Sequence, residues 1–101
     1  MQFLVIGKDG TDSAAPSRRA AVRPAHIELG NQLREEKKHL FGVALLNNDG
    51  GLIGSVLLVD FENREALDRW LEIEPYVTGN VWKTIEINPC TIGPSFINCL
   101  R

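Results

Sequence analysis

A two-layer α+β sandwich, with two helices on one face of a four-stranded antiparallel sheet, is predicted by three observations. Apolar runs of strand length alternate with amphipathic stretches in the order strand, helix, strand, strand, helix, strand. The stretch Asn47-Asn48-Asp49-Gly50-Gly51 between the second and third strands is a hairpin turn, because Asn, Asp and Gly tolerate positive φ. The chain has 101 residues, enough for one core and too few for two. Two right-handed crossovers joined by that hairpin give the ferredoxin-like βαββαβ arrangement.

Residues 2–6 read as the first strand, an apolar run stopped by Gly7 and the turn-prone Lys8-Asp9-Gly10. The polar segment 11–17 is a loop or a helix start with Pro16 in its first turn. From 17 to 39 the period is helical. Val22, His26, Leu29 and Leu33 recur at spacings of four, three and four on one face, and Lys37, Lys38 and His39 suit the C-terminal dipole. Pro24 removes a hydrogen bond and crowds the Ala20 carbonyl, so the helix is expected to kink or restart there.

Residues 41–46 and 52–61 are the second and third strands, the latter interrupted by Gly54. Asn63 caps a short helix with Ala66, Leu67, Trp70 and Leu71 as its buried stripe. That helix must stop at Glu74, which Pro75 bars from the helical region. The last strand is 81–87, with Val81, Ile85 and Ile87 on one face and Trp82 on the other; Pro89 and Pro94 leave 90–101 as an irregular or edge tail.

Composition narrows the function classes. A net charge of -2 argues against a nucleic-acid module, which needs a basic face. No apolar run approaches a membrane span, and no basic leader precedes the first strand, so a cytoplasmic protein is expected. Cys90 and Cys99 make no zinc pattern with His26 and His39; reduced thiols, no metal and no cofactor are expected. The sheet carries a further message. Phe3 to Ile6, Val43 to Leu46 and Val56 to Val59 are apolar on both faces, while two helices cover only one. The same face of a second copy is the simplest cover, so a homodimer is expected, with Phe3, Val5 and their neighbours on strands two to four supplying the apolar contact.

Few residues suit chemistry. His26 stands where an apolar helix face would carry Leu or Val, so it is either a satisfied core residue or an acid–base group. Glu74, at the expected helix C-terminus, is an anion where the backbone dipole disfavours one. It either points into water or has a task. Arg18, Arg19 and Arg23 form a basic patch, and Arg23, one turn before His26, is placed to meet an anionic substrate. Ser55 in a core strand needs a partner or lines a cavity, and Gly54 beside it permits close approach. Tyr76 is expected half-buried with its hydroxyl near the helix end, and Asp9-Gly10 is read as turn chemistry only.

Arg23-Pro24-Ala25-His26, Gly54-Ser55, Glu74-Pro75-Tyr76-Val77 and Gly79-Asn80-Val81, in this order and spacing, resemble the YciI-like (YCII-domain) family from Met1 to about Pro89. The resemblance implies a dimeric α+β barrel and a His/Asp dyad that maps onto His26 and Glu74, with Glu here where the family usually has Asp. It also suggests lyase or dehydrochlorinase chemistry on hydroxylated aromatics. Two functions follow: a cofactor-free acid–base enzyme on a small aromatic or anionic substrate, or a non-catalytic dimeric ligand-binding or partner module. Whether the space around His26 is open or filled separates them.

Overall fold

The computed structural model describes residues 1–99. The chain runs β1 (Gln2–Asp9), α1 (Ala15–Glu35), β2 (His39–Leu46), β3 (Leu52–Asp60), α2 (Arg64–Leu71), α3 (Pro75–Thr78) and β4 (Trp82–Cys90). The strands form one antiparallel sheet in the order β2-β3-β1-β4, as the ferredoxin-like reading requires. In register, Phe3 and Val5 of β1 lie beside Val59 and Leu57 of β3. All four point to the helix-covered face and are buried with Leu33, Leu67, Trp70 and Tyr76, so Phe3 and Val5 belong to the core and not to the dimer contact expected of them.

The other face stays apolar and uncovered. Leu4 and Ile6 lie opposite Leu58 and Val56, and Phe41 and Val43 continue the surface on β2 at 52% and 43% exposure. Strand alternation puts these side chains opposite the helices. The two-sided apolarity in the sequence therefore becomes one core face and one bare face.

Several local expectations change. α1 runs unbroken through Pro24, so the expected restart is absent. Pro24 and Ala20 are both exposed, and water can serve the carbonyl that proline leaves without a donor. The helix stops at Glu35, earlier than its charge pattern suggests, because Lys37 takes a left-handed backbone with φ 61. The Lys38 N–H then closes back on the Leu33 carbonyl at 2.8 Å. His39 leaves the helix altogether and opens β2, where it is buried.

β1 is three residues longer than expected and ends at Asp9. The β1–β4 register shifts between Lys8 and Asp9, so Trp82 pairs with Asp9 and joins the core instead of facing the other way. Its ring lies on Gly7, where a Cβ would sit 2.3 Å from ring carbon Cδ2. Gly54 also permits close approach, but the neighbour is the protein itself: a Cβ there would meet the Gly7 carbonyl oxygen at 2.6 Å. The tail is more ordered than expected. β4 continues to Cys90 with Pro89 on an edge strand, where proline is tolerated, and Pro94–Cys99 forms a 3-10 helix. The last two residues of the expected tail, 100–101, lie outside the described residues.

Candidate functional site

α1 delivers a stripe of one residue per turn to the sheet: Ala15, Arg19, Val22, His26, Leu29 and Leu33. Four are apolar and two are chemical. His26 stacks on the Tyr76 ring with centroids 3.8 Å apart and meets Trp82 edge-on at 6.2 Å. Its Nδ1 is in hydrogen-bond contact with Oε1 of Glu74.

Glu74 does not end a helix. α2 stops at Leu71, and Glu74 is the extended N-cap of α3, with Pro75 in the first helical position. Proline there starts a helix as readily as it ends one. Oε1 accepts the Tyr76 N–H at 3.1 Å, so the carboxylate stands at a helix end that favours an anion. Glu74 is fully buried and its Oε2 has no partner among the described residues. The placement is fixed further by the Glu74 N–H, which donates to the Trp70 carbonyl at 3.0 Å.

Tyr76 is buried, not half-exposed as expected, at 1% exposure. Burial raises the pKa of its hydroxyl, against the pull of Arg19 and Arg23, so it stays a proton donor at neutral pH. The Arg19 guanidinium lies over the same ring, 4.7 Å from its centroid. Arg19 and His26 thus converge on Tyr76 from two turns of one helix.

Arg19 also anchors a second cluster. Its Nη1 donates to both Asp9 carboxylate oxygens at 3.0 Å, and its Nη2 donates to Ser55 Oγ at 3.0 Å. Asp9 is therefore a buried ion-pair partner, which corrects its reading as turn chemistry. Arg23, by contrast, is exposed and makes no ion pair among the described residues.

These groups surround open space. A cavity of about 250 Å³ is lined by Arg19, Arg23, His26, Ser55 and Tyr76 together with apolar residues of β2 and β3. A larger groove of about 640 Å³ shares Arg19, Arg23 and Leu52 with it and runs toward Asp9 and Asn47. All five residues singled out from the sequence are near one place: His26, Arg23, Ser55 and Tyr76 line the smaller cavity, and Glu74 backs His26 from the core.

The arrangement suits proton transfer. With Nδ1–H donating to Glu74, a neutral imidazole carries its lone pair on Nε2, and an imidazolium would sit against a buried carboxylate. Among the described residues, no three His, Cys, Asp or Glu side chains gather as metal ligands.

Sequence reasoning placed Arg19 only in a basic patch and missed its burial, along with the roles of Asp9, Trp82 and His39. The signal for Arg19 was present. Extending the Val22–His26–Leu29–Leu33 stripe backward by the same spacing lands on Arg19 and then Ala15, both buried. Asp9 and Trp82 depend on a register shift that periodicity does not reveal.

The YCII-related domain model matches residues 1–91. Protein YciI of Escherichia coli O6:H1 and that of Shigella flexneri are each 30% identical over 95 residues, covering 88% of this chain and 95% of the relative. Among solved structures, 5-chloro-2-hydroxyhydroquinone dehydrochlorinase of Burkholderia phenoliruptrix, in complex with 2,5-dihydroxybenzoquinone, matches with a TM-score of 0.79 at 20% identity, covering 94% of this chain and 98% of that one. The Rv0793 protein of Mycobacterium tuberculosis matches with a TM-score of 0.57 at 17% identity, covering 93% and 99%.

Proposed function

This chain belongs to the YCII-related domain family, and from that membership and its site we propose that it is a small acid–base enzyme. Its substrate is a small aromatic or anionic molecule, and its reaction is an elimination or isomerisation begun by proton abstraction. The observation that carries the reading is the His26–Glu74 pair beside an open cavity. Glu74 holds the imidazole by Nδ1, and Nε2 takes the substrate proton. Arg23 attracts the negative charge, while Ser55 and Tyr76 provide hydroxyls around the substrate. No cofactor or metal is required for this step.

The structural neighbour named as a dehydrochlorinase supports a lyase-type reaction on a hydroxylated ring. The open space at His26 favours a ligand site over a packed core histidine. The bare sheet face supports a homodimer joined through Leu4, Ile6, Phe41 and Val43, burying more than about 1,200 Å² in total. The protein is read as cytoplasmic and without a nucleic-acid partner; among the described residues no helix is long and apolar enough to cross a membrane.

A thermal-shift screen of small aromatic acids, followed by turnover assays on hits, tests the proposal. His26→Ala should lower turnover by roughly 10²- to 10⁴-fold, and Glu74→Gln by less, since it keeps the shape and loses the charge. Unchanged turnover in His26→Ala would refute the mechanism. Binding without turnover in the wild-type protein would leave a non-catalytic ligand-binding module.

A further inference from the structure

The Asp9–Arg19–Ser55 cluster has no part in the proton transfer proposed above, yet among the described residues it is the most deeply buried charge outside Glu74. The Arg19 and Asp9 side chains are 6% and 3% exposed, and Ser55 is 5% exposed. Burying an ion pair is a poor route to stability, because lost hydration offsets the attraction. What the cluster does do is fix the state of one hydroxyl.

A guanidinium only donates, so Ser55 Oγ must accept from Arg19 Nη2 and its own proton must go elsewhere. Ser55 donates to no acceptor among the described residues, and it lines the cavity that His26, Tyr76 and Arg23 also line. Asp9 holds Arg19 through both carboxylate oxygens, which locks the fork that faces Ser55. A hydroxyl that accepts from a cation is a stronger donor in turn.

We propose that Ser55, polarised by Arg19 and braced by Asp9, is the donor that binds a negatively charged oxygen of the ligand: a phenolate, an enolate or a carboxylate. Arg19 is a positioning residue, acting through Ser55. The assignment rests on the substrate site proposed above and supplies its missing half. When His26 Nε2 takes a substrate proton, the electron pair left behind delocalises onto a conjugated oxygen, and the Ser55 hydroxyl donates to that oxygen. A preorganised donor at developing charge is worth most inside a cavity that excludes water. Arg23 adds solvent-screened attraction from the exposed rim.

Two chromogenic probes of similar size separate these contributions, 4-nitrophenolate and the uncharged 4-nitrotoluene, with binding measured by calorimetry above the phenol's pKa. The wild-type protein is expected to prefer the phenolate. Ser55→Ala should weaken phenolate binding roughly tenfold and leave 4-nitrotoluene unchanged, and Ser55→Thr, which keeps the hydroxyl, should retain the preference. Should Ser55→Ala not fold, Arg19→Lys takes its place, since a lysine cannot hold Asp9 and Ser55 together; it too should lose the phenolate preference alone. A Ser55→Ala protein, or in its place Arg19→Lys, that binds the phenolate as wild type does would overturn the inference and leave the acid–base reading standing. Failure of both probes to bind the wild-type protein at millimolar concentration would overturn the ligand cavity itself.

Discussion

Acidification should destabilise this protein through His39 before its carboxylates matter. His39 opens β2, is 7% exposed, and packs edge-on against Trp70 and Phe61 at 5.0 and 6.4 Å. Its Nε2 has no partner among the described residues. Burial lowers its pKa from 6.5 to about 4; Glu74 pulls upward and His26 pushes further down. The folded state therefore binds this proton more weakly than the unfolded chain. The stability associated with neutral His39 is whole above pH 6.5 and is lost as pH falls through the folded value of about 4. At about 1.4 kcal/mol per unit, the full loss is roughly 3 kcal/mol, with about 2 kcal/mol gone near pH 5. That is a large share of the ~5–15 kcal/mol typical of a domain. His39→Phe keeps an aromatic ring against Trp70 and removes the titration. Urea unfolding of both proteins from neutral pH to pH 4 gives a difference curve in which shared carboxylate effects cancel. It should be near constant above pH 7 and swing by roughly 3 kcal/mol in favour of the variant on acidification. A flat difference curve would show that His39 is solvated or paired in the native protein, and the reasoning would fail.

Other outcomes follow from the same packing. Gly7→Ala must displace the Trp82 indole, since a Cβ there falls 2.3 Å from the ring; the urea midpoint should drop by an amount equal to roughly 1–3 kcal/mol. Glu74→Ala removes the α3 cap along with the His26 partner, and should cost about 1–2 kcal/mol in thermal unfolding where Glu74→Gln costs less. Phe41→Lys, with Val43→Lys, places charge on the bare sheet face; light scattering should return a dimer for the wild-type protein and a monomer for the double variant. A wild-type monomer at micromolar concentration would remove the dimer from the proposal.

Much of the fold was legible because it rests on period and turn chemistry. The hairpin at Asn47 to Gly51, the Asn63 cap and the two-sided apolar strands each follow from local rules, and the structure places them as those rules require. His26 and Ser55 were legible as polar residues in apolar stripes. Glu74 was found by its oddity, but for the wrong reason: Pro75 was read only as a stop, and the anion proved to stand at a helix start. Asp9 and Trp82 were hidden, since neither residue type nor spacing announces the register shift that carries both into the core. His39 was misplaced because a lysine in the left-handed region, at Lys37, ended the helix where glycine would be the usual signal.

The two tryptophans of the chain each stand edge-on to a different histidine, Trp82 to His26 and Trp70 to His39. An imidazolium quenches indole emission on contact, while a neutral imidazole does so weakly. The molecule thus carries one optical reporter of proton occupancy in the core and a second indole placed against the cavity. In a Trp70→Phe protein, the remaining emission reports what enters the cavity beside His26. In a Trp82→Phe protein it follows His39, and should dim only as pH approaches about 4. Ligand capture and acid unfolding can therefore be watched separately in the same cuvette, with no label attached.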